Sequence, residues 1–134
     1  LGSTVYCTAG SETKRGLLRQ RFDIAHASGS RSLHFVDECS LCVRGGCDAI
    51  LNSLTSPGMI AASMSLLSPG ASFVEIGKRD IYSLGRIAQE RADLAYSVLA
   101  VDFLKQRTLG ALLSQASASL AACCCLWVTY SSAA

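Results

Sequence analysis

Apolar and polar residues alternate along the chain in short blocks, and these blocks predict strands and helices in turn. Short apolar runs, some of them β-branched, predict strands over residues 4–9, 24–28, 49–53, 73–77 and 97–103. Apolar residues near helical spacing predict helices over residues 12–20, 35–43 and 84–92, and a further helix that begins at Ser56-Pro57 and ends before Pro69-Gly70. Strands separated by helices of about ten residues indicate a doubly wound α/β fold with a parallel sheet and helices on both faces.

The C-terminal part of the chain has a different pattern. From Thr108 onward there is no Asp, Glu, Lys, Arg or His. Residues 109–128 are numerous enough to cross a bilayer, at about 20 residues per span, although Ala and Ser fill their middle. An amphipathic closing helix, a membrane anchor and a segment foreign to the domain all stay open. We therefore divide the chain into a globular domain, 1–107, and an uncharged segment, 108–134, whose role the sequence leaves undecided.

Composition bounds the function. The chain has 134 residues, of which 50% are hydrophobic, and its formal net charge is +2. This length suffices for one core but not for two lobes with a substrate cleft between them. So small a charge gives no reason to expect nucleic acid as a partner. The seven cysteines, together with a start that has no export signal, predict reduced thiols and a cytoplasmic protein.

Candidate chemistry lies at the carboxyl ends of the predicted strands, where α/β folds bind their ligands. The strand over 4–9 is followed by Ser11, Lys14 and Arg15. Hydroxyl and cationic groups at such a turn suit the 2′-phosphate of NADP, whereas an acidic residue would accept the ribose hydroxyl of NAD. An ordinary solvated helix start is the alternative interpretation.

Two further strand ends carry polar residues. Asn52 and Ser53 close one predicted strand, and Gly77 and Lys78 follow another. A glycine there permits close approach of the backbone to a flat ligand. The same residues are also ordinary strand terminators and a solvated turn, so each signal is weak when it is taken singly.

Together, these segments resemble a known family. The motifs are TAGSETKR at 8–15, SRSL at 30–33, DAILNSL at 48–54 and FVEIGKRDI at 73–81. In this order and spacing they resemble the enoylreductase domain of type I polyketide synthases and animal fatty acid synthase, within the medium-chain dehydrogenase/reductase superfamily. The resemblance covers residues 1–103, and the turn after Glu75 disfavours the quinone reductases of the same superfamily.

The resemblance implies a fold, a reaction and partners. We expect residues 1–107 to be a partial, Rossmann-like NADP-binding domain. NADPH would deliver hydride to the β-carbon of an α,β-unsaturated thioester carried on an acyl carrier protein, and the enolate would be protonated at the α-carbon. No metal is implied, because the hydride comes from the cofactor. A homodimer formed through the parent synthase and membrane contact by the C-terminal segment stay open.

The resemblance also implies residue roles. Lys14 corresponds to a lysine that is either a proton donor or a ligand of the 2′-phosphate. Ser11 and Arg31 would lie at the adenosine end of NADP, and the remaining cofactor contacts are Asn52, Ser53, Gly77 and Lys78. His34 stands where the family usually has Asp; it either replaces that acid as a catalytic group or is a surface histidine.

One family feature does not occur in the sequence. The 134 residues contain no G-x-G-x-x-G motif, because Gly45-Gly46 does not match it. We expect the phosphate-binding turn to precede residue 1, the substrate lobe to be missing, and the chain alone to be inactive. A non-catalytic α/β scaffold or docking module is the alternative from a different functional class.

Overall fold

The part of the chain that the structure describes contains one sheet of six strands. The computed structural model describes residues 4–99, 110 and 125–129. The strands are β1 Thr4–Ala9, β2 His26–Gly29, β3 Cys47–Asn52, β4 Leu67–Glu75, β5 Ala95–Val98 and β6 Cys125–Thr129. The helices within these residues are α1 Glu12–Phe22, α2 Phe35–Cys42, α3 Met59–Ser65 and α4 Leu84–Glu90. The predicted α/β fold is confirmed.

The strands lie in the order β2-β1-β6-β3-β4-β5, and every neighbouring pair is parallel. All carboxyl ends therefore meet at one edge of the sheet. Strand β6, the last of the described strands in sequence, lies between β1 and β3. Its residues 125–129 pair with Thr4–Thr8 of β1, and residues 126–128 pair with Ala49–Leu51 of β3.

The predicted starts of the third helix and of the fourth strand were wrong. Helix α3 begins at Met59, after Gly58 with φ 81°, and not at Ser56-Pro57. Strand β4 begins at Leu67 and runs through Pro69-Gly70, which the sequence analysis placed outside any strand. The cause is pairing with β3: Cys47 N donates to Leu66 O at 2.7 Å, and the ladder register then shifts between Cys47 and Ala49. A proline without an N–H fits such an irregularity.

The other boundaries differ by a few residues. Helix α1 continues to Phe22 and ends at Asp23, whose φ of 53° is left-handed. Strand β2 begins two residues later than predicted, at His26. Strand β5 covers Ala95–Val98, and the rest of the strand predicted over 97–103 lies, apart from Leu99, outside the described residues.

In the C-terminal segment, the structure describes Gly110, which is helical, and strand β6. Residues 125–129 are thus extended and hydrogen-bonded within the sheet, rather than part of a helix that reaches Val128. No helix within the described ranges is long and apolar enough to cross a bilayer.

The core is concentrated around β3 and β4. Phe35 of α2, Ile50 of β3 and Phe73 of β4 are at most 1% exposed, and α3 adds Ile60 and other buried residues. None of the eleven residues of α1, all of them described, is fully buried. Apolar burial, at about 25 cal/mol per Å2, therefore stabilises the β3–β4 side far more than the α1 side.

Candidate functional site

The predicted site residues fall into two groups along the carboxyl edge. Ser11, Lys14 and Arg31 follow β1 and β2, whereas Asn52 and Gly77 end or follow β3 and β4. Strand β6 separates the groups. Since neighbouring strands lie about 4.8 Å apart, the ends of β1 and β3 are roughly 10 Å apart. The two groups therefore share one edge but make separate local environments.

The turn after β1 is held by backbone-directed side chains. Ser11 caps α1, and its Oγ accepts a hydrogen bond from Lys14 N at 3.4 Å, so Lys14 stands in the first helical turn. The guanidinium of Arg31 reaches across from the loop after β2, and its Nε donates to Gly10 O at 2.8 Å. Arg31 is thereby fixed beside the turn that leads into α1.

Two more arginines tie α1 to the sheet. Arg15 Nη1 donates to Ala9 O at 2.9 Å, and Arg19 Nη2 donates to Ala27 O at 2.9 Å. Both also pair with Glu12, at 2.7 and 2.9 Å. Their hydrogen bonds, that of Arg19 first, lower the pKa of the exposed Glu12 carboxyl. We call Ser11, Lys14, Arg15 and Arg31 the cationic turn; its charges suit a phosphate better than a hydroxyl.

The end of β3 is buried, and its polar side chain is hydrogen-bonded. Asn52 is fully buried, and its Nδ2 donates to Glu75 Oε2 at 2.6 Å and to Leu54 O at 3.1 Å. Its Oδ1 accepts a hydrogen bond from Leu54 N at 3.3 Å. The side chain of Asn52 therefore bonds the backbone just after β3 and also bonds to β4.

Glu75 joins this strand end to the next one. It is fully buried at the end of β4, and its Oε1 accepts a hydrogen bond from Gly77 N at 2.6 Å. Burial raises the pKa of the Glu75 carboxyl, although the hydrogen bonds from Asn52, Gly77 and Ile76 act in the opposite direction. One carboxyl group thus holds the ends of β3 and β4 together, as the Asn52–Glu75–Gly77 unit.

Gly77 has no room for a side chain. A Cβ on it would collide with Thr55 Cγ2 and would lie 2.7 Å from Glu75 Oε1. The glycine is therefore needed for close packing of the β3 and β4 loops.

The remaining predicted residues are His34, Ser53 and Lys78, of which Ser53 and Lys78 directly follow Asn52 and Gly77 in the sequence. His34 is exposed at the N-cap of α2, with helical φ −60° and no side-chain capping hydrogen bond. Ser53 is half-buried in the loop after β3, and Lys78 is exposed after β4. Their predicted roles, like those of the cofactor residues, stay predictions.

Sequence reasoning missed Glu75. It was quoted within a motif but given no role, although a carboxylate at the end of an apolar strand is a recognisable signal. A lone buried carboxyl needs hydrogen-bond donors, and Asn at the end of the neighbouring strand supplies one. Arg15 was noted only for its charge, whereas its contact with Ala9 O is structural.

Metal ligands do not gather within the described ranges: no group of three His, Cys, Asp or Glu residues there could hold an ion. Cys7, Cys39 and Cys47 are buried, and Cys42 is exposed. Burial raises the pKa of the Cys7 thiol to about 11, which keeps it protonated and unreactive.

Dinucleotide cofactors place their adenosine, diphosphate and nicotinamide along such an edge. The cationic turn lies on one side of β6 and the Asn52–Glu75–Gly77 unit on the other. Cationic side chains thus occupy one part of this edge, and a buried polar unit occupies the other.

No protein-family model matches the chain. It is 46% identical over 87 residues to a mycocerosic acid synthase-like polyketide synthase of Mycolicibacterium smegmatis, covering 64% of this chain and 4% of that protein. It is 41% identical over 106 residues to the lovastatin diketide synthase lovF of Aspergillus terreus, covering 77% of this chain and 4% of the relative. The chain thus spans about one twenty-fifth of the length of these relatives.

Solved structures match over more of their own length. The nucleotide-binding subdomain of the enoylreductase domain of PpsC from Mycobacterium tuberculosis is 33% identical, with a TM-score of 0.64; the match covers 87% of this chain and 70% of that one. The apo JamJ enoyl reductase is 30% identical, with a TM-score of 0.70; the match covers 84% of this chain and 34% of that one.

Proposed function

The chain belongs to the enoyl reductase domains of polyketide synthases, as part of their nucleotide-binding subdomain, and we propose that it forms the NADPH-binding part of such a reductase. The parent reaction would be reduction of an α,β-unsaturated thioester on an acyl carrier protein, in the cytoplasm. NADPH, when bound, supplies the hydride for the β-carbon. The residues of this chain bind and orient the cofactor.

The observation that carries the proposal is the pairing of two unlike groups on one sheet edge. The cationic turn offers Arg31, fixed on Gly10 O at 2.8 Å, at the adenosine side. The Asn52–Glu75–Gly77 unit lies on the far side of β6, with both its polar side chains fully buried. NADPH has a similar asymmetry, with its charged 2′-phosphate at the adenosine end and its uncharged dihydronicotinamide at the other end.

At the adenosine side, charge favours NADP over NAD. Ser11 and Lys14 stand at the start of α1, where the helix N-terminus adds positive potential. The acid nearest to them, Glu12, is bound by two arginines at 2.7 and 2.9 Å, so it is not arranged to accept a ribose hydroxyl. We assign Ser11, Lys14 and Arg31 to the 2′-phosphate.

At the nicotinamide side, the residues position rather than react. Asn52 and Glu75 are saturated by each other and by nearby backbone groups, so they hold the loops that carry Ser53, Gly77 and Lys78. Proton delivery to the α-carbon is assigned to Lys14 or His34. Lys14 lies in the first turn of α1, and His34 lies at the start of α2.

Binding of 2′,5′-ADP to the 134-residue chain tests the proposal. Calorimetric titration should show at least about tenfold tighter binding of 2′,5′-ADP than of 5′-ADP, since a charge-assisted phosphate contact contributes about 1.5 kcal/mol or more. Arg31→Ala should remove most of this preference. Arg44→Ala is the matched control, because Arg44 is an exposed arginine just before β3, at the opposite edge.

Equal affinity for the two nucleotides would contradict NADP as the cofactor. If neither nucleotide bound, the alternative of a non-catalytic α/β module would be supported. Lys14→Ala separates the two roles of that lysine: a large loss of 2′,5′-ADP affinity supports the phosphate role. Unchanged affinity would contradict the phosphate role.

A further inference from the structure

A cavity of about 290 Å³ lies between the loop after β3 and the loop after β4. Its lining includes Thr55, Ser56, Ile60, Asp80, Tyr82 and Arg86. We call it the loop cavity. It adjoins the Asn52–Glu75–Gly77 unit, because the methyl group of Thr55 lies against Gly77. None of the lining residues named here belongs to that unit or to the cationic turn, so the loop cavity is a further feature of the carboxyl edge.

We propose that the loop cavity binds an uncharged chain that carries amide groups, and that this chain is the pantetheine arm through which carrier proteins hold thioesters. In this assignment Asp80 accepts hydrogen bonds from the amide N–H groups of the chain, and Tyr82 and Arg86 donate to its carbonyls. The existence of the site depends on the lining alone, whereas the identity of the ligand rests on the proposed function.

Asp80 has a backbone conformation that residues with side chains rarely adopt. Its φ is 52°, in the left-handed region that favours glycine. Such conformations cost free energy and are concentrated at binding and active sites. The Asp80 carboxylate forms no hydrogen bond or ion pair with any residue that the structure describes. No contact within the described chain therefore explains an acid at this position, and a ligand would explain it.

Tyr82 and Arg86 supply hydrogen-bond donors that are already held in place. Arg86 Cζ lies 3.5 Å from the centre of the Tyr82 ring, and Arg86 Nη2 donates to the Tyr82 hydroxyl at 2.8 Å. Arg86 Nε donates to Glu90 at 2.6 Å, and the Tyr96 hydroxyl donates to Tyr82 O at 3.1 Å. Since the Tyr82 hydroxyl accepts from Arg86, its own proton is available to a ligand, as is Arg86 Nη1.

The charges of the lining select an uncharged ligand. Asp80 repels an anion and Arg86 repels a cation, so neither kind of ion gains from both walls of the cavity. An amide group suits both walls, because it donates through its N–H and accepts through its carbonyl. The volume is close to the lower limit of about 300 Å³ for ligand pockets, which suits a narrow chain rather than a whole dinucleotide.

Two properties of the lining favour a pantetheine arm over a peptide. Pantetheine carries a hydroxyl group and a pair of geminal methyl groups beside one of its amides. Thr55 and Ser56 offer hydroxyls to the first, and buried Ile60 offers apolar surface to the second. The position of the cavity agrees with this ligand. A thioester substrate must reach the side of the edge to which we assign the nicotinamide, because the hydride leaves from that ring.

N-ethylpantothenamide, which has both amides of pantetheine but no thiol, is the probe that tests the proposal. It is titrated into the 134-residue chain, and the backbone amide chemical shifts are followed by NMR. Saturable changes should be concentrated in residues 55–60 and 78–86, with half-saturation at about 1 mM or below. Absence of saturable changes in these residues would overturn the proposal.

Asp80→Gly separates a role in binding from a role in folding. Glycine adopts the left-handed φ without strain, so this variant should be at least as stable to urea as the unaltered chain. It should nevertheless bind the probe about fivefold more weakly or worse, because the acceptor is lost. Asp23→Gly is the matched control: Asp23 has φ 53° at the end of α1, and it should keep the probe affinity. Unchanged probe affinity of Asp80→Gly, or a loss of its stability, would overturn the role of Asp80.

Tyr82→Phe keeps the test decisive if Asp80→Gly does not fold. This change removes the hydroxyl donor and keeps the ring beneath Arg86, so the probe should bind about threefold more weakly or worse. Tyr6→Phe, which removes a tyrosine hydroxyl that donates to Cys42 O instead, should leave probe affinity unchanged. Equal affinities of the two variants would overturn the assignment of Tyr82.

Two comparison ligands separate the remaining possibilities. N-acetyl-dialanine methylamide has amides but neither the hydroxyl nor the geminal methyl groups, and it should bind about threefold more weakly than the probe. Equal binding would overturn the choice of a pantetheine arm. Probe binding by a chain that does not prefer 2′,5′-ADP to 5′-ADP would support the loop cavity and contradict the proposed cofactor. Preference for 2′,5′-ADP without probe binding would support the proposed function and overturn the loop cavity.

Discussion

The two halves of the carboxyl edge differ in burial and in the contacts that hold them together. On the β3–β4 side, Asn52 and Glu75 are fully buried and joined at 2.6 Å. On the β1–β2 side, Arg31 and Glu12 are exposed, and the contacts are between arginines and backbone carbonyls or Glu12. Water and salt screen the second half but not the first.

The difference assigns separate tasks to the halves. A buried hydrogen-bonded unit loses much free energy when one partner is removed, so its geometry is rigid. An exposed cationic cluster contributes little to folding but attracts anions over several ångströms. We infer that the β3–β4 half fixes the geometry of the site, and that the β1–β2 half provides affinity for phosphate.

The largest expected effect is that of Glu75→Ala. The change removes one of the two acceptors of Asn52 Nδ2, which keeps Leu54 O, removes the carboxylate acceptor of Gly77 N, and opens a small cavity. We expect a loss of about 3 kcal/mol in the free energy of unfolding, measured by urea denaturation. Glu12→Ala, which removes an exposed carboxyl that also accepts two hydrogen bonds, should change stability far less. Equal losses would contradict the contrast between the halves.

Gly77→Ala should have the second largest effect. Its Cβ would collide with Thr55 Cγ2 and crowd Glu75 Oε1, so the loops after β3 and β4 must separate. We expect a destabilisation of about 2 kcal/mol, measured in the same way. Thr55→Ser removes the methyl group involved, and the double variant should recover part of the loss. No recovery would show that the crowding of Glu75 dominates.

Much of the fold could be predicted, because local signals agree with one another. Ser11 as a helix cap and the apolar run of β1 lie where the sequence places them. The strand through Pro69-Gly70 was missed, because its cause is pairing with β3, which is distant in the sequence. The central location of β6 is likewise set by pairing with two strands more than 70 residues away.

The sequence predicts which residues of the candidate site share an edge, but not the contacts that hold them in place. Parallel strand ends predict which residues share an edge, and the residues near Ser11 and Asn52 do share one. The contacts of Arg15 with Ala9 O and of Glu75 with Gly77 N depend on side-chain conformation and burial. A sequence pattern does not specify either of these.

The pH dependence of stability should identify the buried half. The pKa of Glu75 is raised above the ordinary carboxyl value of 4.5 in the folded state, so the folded state binds the proton more tightly than the unfolded state. The contribution of Glu75 to the free energy of unfolding is complete below about pH 4.5, and it is lost as the pH rises through the folded-state pKa of Glu75. Each unit of difference corresponds to about 1.4 kcal/mol. Urea denaturation from about pH 4 to pH 8 should therefore show a decline in the free energy of unfolding, and Glu75→Gln should remove this decline. The same decline in Glu75→Gln would show that another group causes it.

The smallest expected effect is that of Glu12→Gln, and it concerns binding rather than folding. Arg15 and Arg19 keep their hydrogen bonds to Ala9 O and Ala27 O without this carboxylate, so the unfolding midpoint should not move measurably. Removal of a negative charge beside the cationic turn should tighten 2′,5′-ADP binding about threefold at low salt, and the gain should vanish at high salt. Glu90→Gln, which removes the partner of Arg86 on α4, is the control and should leave binding unchanged. A gain that persists at high salt would mean that Glu12 contacts the ligand directly, and the β1–β2 half would then resemble the buried half more than its exposure suggests.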